Sequence, residues 1–287
     1  YGTAHVCGSV LRSVMAFGGE GLPVSGITPL WLKAYEGYLL HKGGKGLAWN
    51  TVSTYMRMLQ AVYNRAVVRK LAAFIPHQFR DVFTGRKADH RRVLERDDMQ
   101  KLLVERDPDI TSPGMAWARA CLELMFRFHG MPFVDLAHLR KSDLKDGYLT
   151  LRRRKTGMPL SARVDGRAMQ LLERYRNRDD TSPYLLCFLD GNLEGMAAYR
   201  DYQRILRLLN SRLRVLALWK KVQGKVTSYS ARHTWATVGR YCHIPIEVIS
   251  EGLGHASVTT TEGYMKGFGN SRMDRANKVI MNYIFKG

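Results

Sequence analysis

Apolar positions along the first ninety residues recur at helical rather than strand spacing. In "NTVSTYMRMLQAVYNRAVVRKL", Val52, Tyr55, Met56, Leu59, Val62 and Ala66 fall near one face of a 3.6-residue repeat, which predicts an amphipathic helix opening at Asn50. Upstream, "ITPLWLKAYEGYLLHK" offers Thr28 as an N-cap and Pro29 at the first helical position, where its missing N–H costs nothing. The pattern then breaks: "TGRKADHRR", over residues 84–92, is polar and basic and reads as a linker. Helical spacing resumes at "RDDMQKLLVE" (96–105), with acidic residues in the first turn, where the helix dipole favours them. Residues 115–128, "MAWARACLELMFRF", form an apolar helix expected to end near Gly130 and Pro132.

Two-residue alternation is clearest in "DGYLTLRRRKTGMPLSARV". Asp146–Gly147 suits a tight turn, Tyr148 to Arg153 alternates as a strand, and Thr156–Gly157 turns the chain back. The fold class expected is mainly α (α+β): a helical domain over 1–83, a linker over 84–92, and a helical domain over 93–287 with one small antiparallel sheet. A chain of 287 residues has room for two such cores.

Charge changes the picture. The chain carries 45 Lys and Arg against 25 Asp and Glu, a net of +20. Residues 1–90 hold 11 against 4 and residues 91–287 hold 34 against 21, so both parts are basic. A basic chain in two parts fits a phosphate-lined polymer, a nucleic acid bound with release of counterions, more than a merely basic soluble protein or one attracted to acidic membranes. The polar side of the 50–70 helix places Arg57, Arg65, Arg69 and Lys70 as candidate backbone contacts, joined by Arg91 and Arg92 of the linker and Arg153 of the hairpin. The four cysteines are scattered without a CxxC or Cys/His cluster, as reduced thiols would be, and no zinc or other metal site is expected. No apolar run approaches the ~18 residues that cross a bilayer, and the N-terminus has no signal-peptide design. A cytoplasmic protein without membrane contact is expected.

Chemistry concentrates in "VTSYSARHTWATVGRYCHIPIEVISEGLGHASVTTTEGYMKGF". It holds Arg232-His233-Thr234, then Leu253-Gly254-His255, then Tyr264 nine residues after the histidine. Each motif alone is weak; with the "KTG" turn at Lys155 they make four in a fixed order. This order resembles the C-terminal signature of the tyrosine recombinase (phage integrase) family, in its mobile-element integrase branch. The likeness extends to the helical N-terminal part, similar to the family's core-binding domain, so nearly the whole chain is covered and begins directly within that region.

The resemblance implies a site-specific recombinase that cleaves and rejoins double-stranded DNA through a 3′-phosphotyrosyl link, integrating or excising a mobile element as a tetramer on DNA. Tyr264 would be the nucleophile, Arg232 the clamp on the scissile phosphate, Lys155 the general acid for the leaving 5′-oxygen, and His255 a donor to a non-bridging oxygen. These residue types suit the work. A tyrosine hydroxyl with an ordinary pKa near ~10 needs cationic surroundings to attack. Arginine's fork donates two hydrogen bonds without ever deprotonating. The covalent link conserves the ester's energy, so no cofactor is implied.

Two positions depart from the pattern. Tyr229 stands where the family usually has a histidine, three residues before the box arginine. The family's first arginine falls in "FRFHGMPFVDLAHL", at the position of Pro132 in the commoner arrangement or of His129 in the nearer branch, and neither is arginine. Arg127 lies two residues from His129, about 200° around a helix, and is expected to point away. His129 could supply a partial charge if phosphate raises its pKa. Asp135 matches the family's acidic supporting position, and His233 reads as a structural residue at a helix start. Past Tyr264, Met273, Ala276, Val279, Ile280, Tyr283 and Ile284 form one helical stripe that must dock on its own or a neighbouring subunit. The missing arginine leaves open a catalytically impaired DNA-binding relative, or a DNA invertase of the same fold. A plain helical transcription regulator would have no need of the tyrosine, lysine and arginine together.

Overall fold

Pro29 and Thr28 start a helix as their chemistry dictates: Thr28 Oγ1 accepts a hydrogen bond from the Trp31 N–H at 3.2 Å, at the head of Pro29–His41. In the computed structural model this is α2, preceded by α1 (Gly2–Gly18) and followed by α3 (Trp49–Val68). The structure describes residues 2–85, 87, 93–103, 112–255, 257–262 and 277. It divides into two units, residues 1–88 and 89–287.

In the first unit, Val10 of α1, Leu32, Tyr35 and Leu39 of α2, and Val52, Met56, Leu59 and Tyr63 of α3 bury one another. The stripe on α3 differs in detail from the sequence pattern. Val62 is half exposed while Tyr63 is buried, because 52, 56, 59, 63 and 66 keep the closer 3.6-residue register. Asn50 does not cap α3; Ala48 precedes the helix. The Asn50 side chain instead reaches forward, its Nδ2 donating to the Lys87 carbonyl and its Oδ1 accepting from the Lys87 N–H, both at 2.8 Å. That tethers the start of the predicted linker to α3, with the Lys87 ammonium 4.2 Å from the Trp49 ring centroid.

The second unit is built around α5 (Pro113–Arg127), which is buried over most of its length. Before it lies α4 (Arg96–Leu103); after it come α6 (Phe133–Ala137), α7 (Gly166–Arg174), α8 (Gly195–Trp219), α9 (Ser230–Tyr241), α10 (Ile246–Gly252) and α11 (Val258–Glu262). The 25-residue α8 packs on α5 through Ile205, Leu209, Leu213 and Leu216. Three short antiparallel strands lie between α6 and α7: β1 (Leu144–Lys145), β2 (Tyr148–Arg152) and β3 (Pro159–Arg163), in the order β1-β2-β3. Asp146 and Gly147 both take positive φ, 51° and 75°, as the turn between β1 and β2 requires. Leu149 faces Ala162 and Leu151 faces Leu160, giving the sheet its apolar face. Among the described residues no helix is long and apolar enough to cross a membrane.

Candidate active site

Strand parity decides which of three consecutive arginines enters the second unit. Leu149 and Leu151 turn toward the core, so the next residue of that parity, Arg153, follows them while Arg152 and Arg154 turn to solvent. Arg153 is only 6% exposed. Its Nε donates to Asp135 Oδ2 at 2.8 Å, and its Nη1 donates to the carbonyl of Leu253. Asp135 is itself buried, and its other oxygen accepts from the Arg154 N–H at 2.9 Å. A buried charge that keeps its partner and fills its hydrogen bonds is tolerated; one deprived of its partner is not. Asp135→Asn should therefore lower the stability of the full chain by about 3 kcal/mol. Chemical denaturation checks this, and a change below about 0.5 kcal/mol, ordinary for surface substitutions, would contradict the pairing.

Arg232 arrives from the opposite side, in the first turn of α9, and is 2% exposed. Nη1 donates to the Gly130 carbonyl at 3.0 Å; Nη2 donates to the Leu253 carbonyl at 2.6 Å and to His255 Nε2 at 2.7 Å. Two residues along, Thr234 is fully buried and its Oγ1 accepts from the Leu94 N–H at 3.0 Å, locking the helix start to the beginning of the unit. Gly130 has φ +66°, and a Cβ there would sit 2.9 Å from Arg232 Cα. Gly254, at φ +62°, would place a Cβ 2.9 Å from Arg153 Nη1. The glycines of "HGM" and "LGH" thus make room for one arginine each.

A guanidinium only donates, so His255 Nε2 must be the acceptor and Nδ1 must carry the ring proton. That proton goes to Thr261 Oγ1, 2.8 Å away on α11. Burial pushes the His255 pKa down to about 3, helped by the charges of Arg232, Arg153 and Lys155. Lys155 stands exposed on the turn between β2 and β3. His255 also lines a cleft of ≈ 430 Å³, together with Met158, Pro159, Val258 and the carboxylates Glu247 and Glu251.

His255 gives the unit a pH dependence of definite sign. Its folded pKa lies below the ordinary histidine value of ~6.5, so the unfolded chain takes up a proton that the folded chain refuses. Stability is then full above pH ~6.5 and falls as the pH is lowered toward the folded value. His129 and His138 are lowered by burial too, and add in the same direction. Melting temperature should drop between pH 7.5 and 5.5, and less so in His255→Gln; parallel curves for the two proteins would refute this.

Tyr229 precedes α9, 38% exposed, with its ring 6.3 Å from that of the buried His233. His129 has its ring 5.6 Å from Trp235 and, at φ 56°, occupies the left-handed region. Burial holds its pKa below the ordinary value, away from a charged state. Arg127 does point away, donating to Glu123 Oε1 at 2.9 Å and Asp165 Oδ2 at 2.6 Å. In the first unit, Arg57, Arg65, Arg69 and Lys70 are all exposed along and just past α3. Tyr264, Arg91, Arg92 and the apolar stripe from Met273 to Ile284 lie outside the described residues. The structure therefore brings Arg232, His255, Asp135, Arg153 and Lys155 into one neighbourhood. Arg153 had appeared in the sequence only as one basic residue of a hairpin, although the alternation through Leu149 and Leu151 already carried the signal for its burial.

Comparison with known proteins bears on the family and the fold. A SAM-like domain of phage integrases matches residues 1–80. Tyrosine recombinase XerA of Pyrococcus furiosus is 29% identical over 140 residues, 48% of this chain, and the chain spans only 46% of that relative's length. A putative integrase/recombinase, y4gC, of Sinorhizobium fredii is 27% identical over 180 residues, covering 61% of this chain and 88% of the relative. Among solved structures, a lambda integrase dimer bound to a COC′ core site shares the fold at 17% identity and a TM-score of 0.65, over 92% of this chain and 88% of that one. The Tn1549 transposon integrase in complex with transposon right end DNA does so at 15% identity and a TM-score of 0.67, over 100% and 94%. The phage integrase family model itself matches residues 92–268, more than half of the 287, and the chain belongs to that family of tyrosine recombinases.

Proposed function

We propose that this chain is a site-specific DNA recombinase that cleaves and rejoins duplex DNA through a 3′-phosphotyrosyl intermediate. The observation that carries the reading is the pair of buried Arg232 and half-buried His255, 2.7 Å apart beside Lys155, at the root of the segment that ends two residues before Tyr264.

The Tyr264 hydroxyl gives up its proton to solvent and attacks the scissile phosphorus, forming the bond from the tyrosyl oxygen to phosphorus as the bond to the 5′-oxygen breaks. Arg232 neutralises the non-bridging oxygens where charge builds in the transition state. Lys155, on an exposed turn, hands its proton to the departing 5′-oxygen and recovers one when the reaction reverses onto a new strand. His255 is neutral in the empty site because burial, and after it the charges of Arg232, Arg153 and Lys155, hold its pKa down; a phosphate anion offsets those charges and raises its pKa, letting Nε2 donate. His233 and Tyr229 support this site from the α9 start, and Asp135 supports it from α6.

Residues 1–83 are read as the core-binding domain and 84–92 as the linker. Residues 93–287 are then the catalytic domain with its tail helix. Arg57, Arg65, Arg69, Lys70, Arg91 and Arg92 are assigned to the DNA backbone, and strand exchange to a tetramer on DNA in the cytoplasm. Integration or excision of a mobile element is the role this supports, with a transposon integrase among the similar structures. A catalytically impaired DNA-binding relative is the second reading, favoured by the absence of arginine at His129 and Pro132.

The two readings separate on a suicide duplex carrying the chain's own recombination site, with EDTA present, resolved by denaturing electrophoresis. A covalent protein–DNA adduct whose labelled peptide contains Tyr264 is the expected result. Specific binding with no adduct would leave the second reading standing.

A further inference from the structure

We infer that Arg153 is the second phosphate-clamping guanidinium of the site, and that the position left by the family's first arginine is filled from the β2–β3 hairpin rather than by His129. The inference rests on the recombinase reading above.

The geometry starts from one oxygen. The Leu253 carbonyl accepts from Arg153 Nη1 and from Arg232 Nη2. Two nitrogens within hydrogen-bond reach of one atom are at most about 6 Å apart. They belong to two permanently charged groups, each almost wholly buried. Lys155 acts on the same His255 that both arginines act on, so three cations meet there. One carboxylate, Asp135, pairs with Arg153. Like charges as close as these two buried guanidiniums repel, and an anion between them relieves the repulsion. A phosphodiester supplies that charge and presents two non-bridging oxygens to two forks.

Arg153 is also held as a clamp needs to be. Asp135 takes its Nε and the Leu253 carbonyl takes one N–H of Nη1. These bonds fix the plane of the fork while leaving further N–H groups without a partner among the described residues. Gly254 lies flat against the Arg153 side chain and is the residue before His255, so the arginine and the histidine are placed by one stretch of backbone. His129 offers none of this: its ring rests near Trp235 and burial keeps it neutral.

The site can be probed without knowing the DNA sequence, by titrating the full chain with inorganic phosphate and following its melting temperature. Arg153→Gln and Arg232→Gln should each weaken phosphate binding by tenfold or more, and His129→Ala should bind as the parent does. Equal affinity in Arg153→Gln and the parent would overturn the inference. So would a loss in His129→Ala as large as that in Arg153→Gln.

Single-turnover cleavage supplies the second readout. Arg153→Gln should slow adduct formation by ~10²–10³ on a phosphodiester, the usual cost of one preorganised donor. On a methylphosphonate at the scissile position, which carries no charge to neutralise, it should come within tenfold of the parent. A merely structural arginine would give the same deficit on both substrates, and that result would also overturn the inference. If the parent forms no adduct while its phosphate binding depends on Arg153, the recombinase reading has failed and the anion clamp stands.

Discussion

Tyr264→Phe should abolish the covalent protein–DNA adduct entirely while leaving DNA binding intact and thermal stability almost unchanged. Phenylalanine keeps the ring and its volume and removes one hydroxyl, a change that costs little wherever the ring packs. The reaction, in contrast, has no substitute for that oxygen, since the covalent intermediate is an ester of it. The loss should therefore be one of chemistry alone, to below detection rather than by a fixed factor. Gel-shift affinity and a thermal melt serve as controls. An adduct that persists in Tyr264→Phe would make another tyrosine the nucleophile. Tyr229, partly exposed at the head of α9, is the one to replace next.

Arg232→Lys should lower the single-turnover cleavage rate by about 10³-fold, near the upper end for loss of one preorganised donor. The substitution preserves the positive charge and so isolates the fork. Arg232 spans the Gly130 carbonyl, the Leu253 carbonyl and His255 Nε2 at once. An ammonium is a compact point charge that cannot meet these partners and a phosphate in one plane. Folding should survive, because Leu253 retains its bond from Arg153 and the lysine keeps the charge, leaving the Gly130 carbonyl and His255 Nε2 to find new donors. A rate within tenfold of the parent would show that charge without the fork suffices, contrary to the clamp.

Both predictions concern residues that the sequence marks unaided. Arg232, His255 and Tyr264 stand at spacings that a reader can count, and Thr28 and Asp146–Gly147 announce a helix start and a turn by local chemistry alone. Local signals survive translation into structure because a cap or a two-residue turn is decided within a few residues of chain. Periodicity is weaker where a face is ambiguous. Val62 and Tyr63 both fit a helix, and only packing against Phe79 and the segment that follows α3 buries the tyrosine.

What the sequence by itself determined is the identity and order of the reactive groups, the two-part basic chain, and the helical class with one small sheet. Tertiary structure decided how those groups are paired. Asp135 and Arg153 are eighteen residues apart, and Arg153 and Leu253 a hundred. No spacing rule connects them, since such contacts depend on where β2, α6 and α10 are set in space. The same holds for His129, which a motif aligns with a charged position but which burial keeps neutral. Charge state is a property of surroundings, and surroundings are assembled only when distant segments meet.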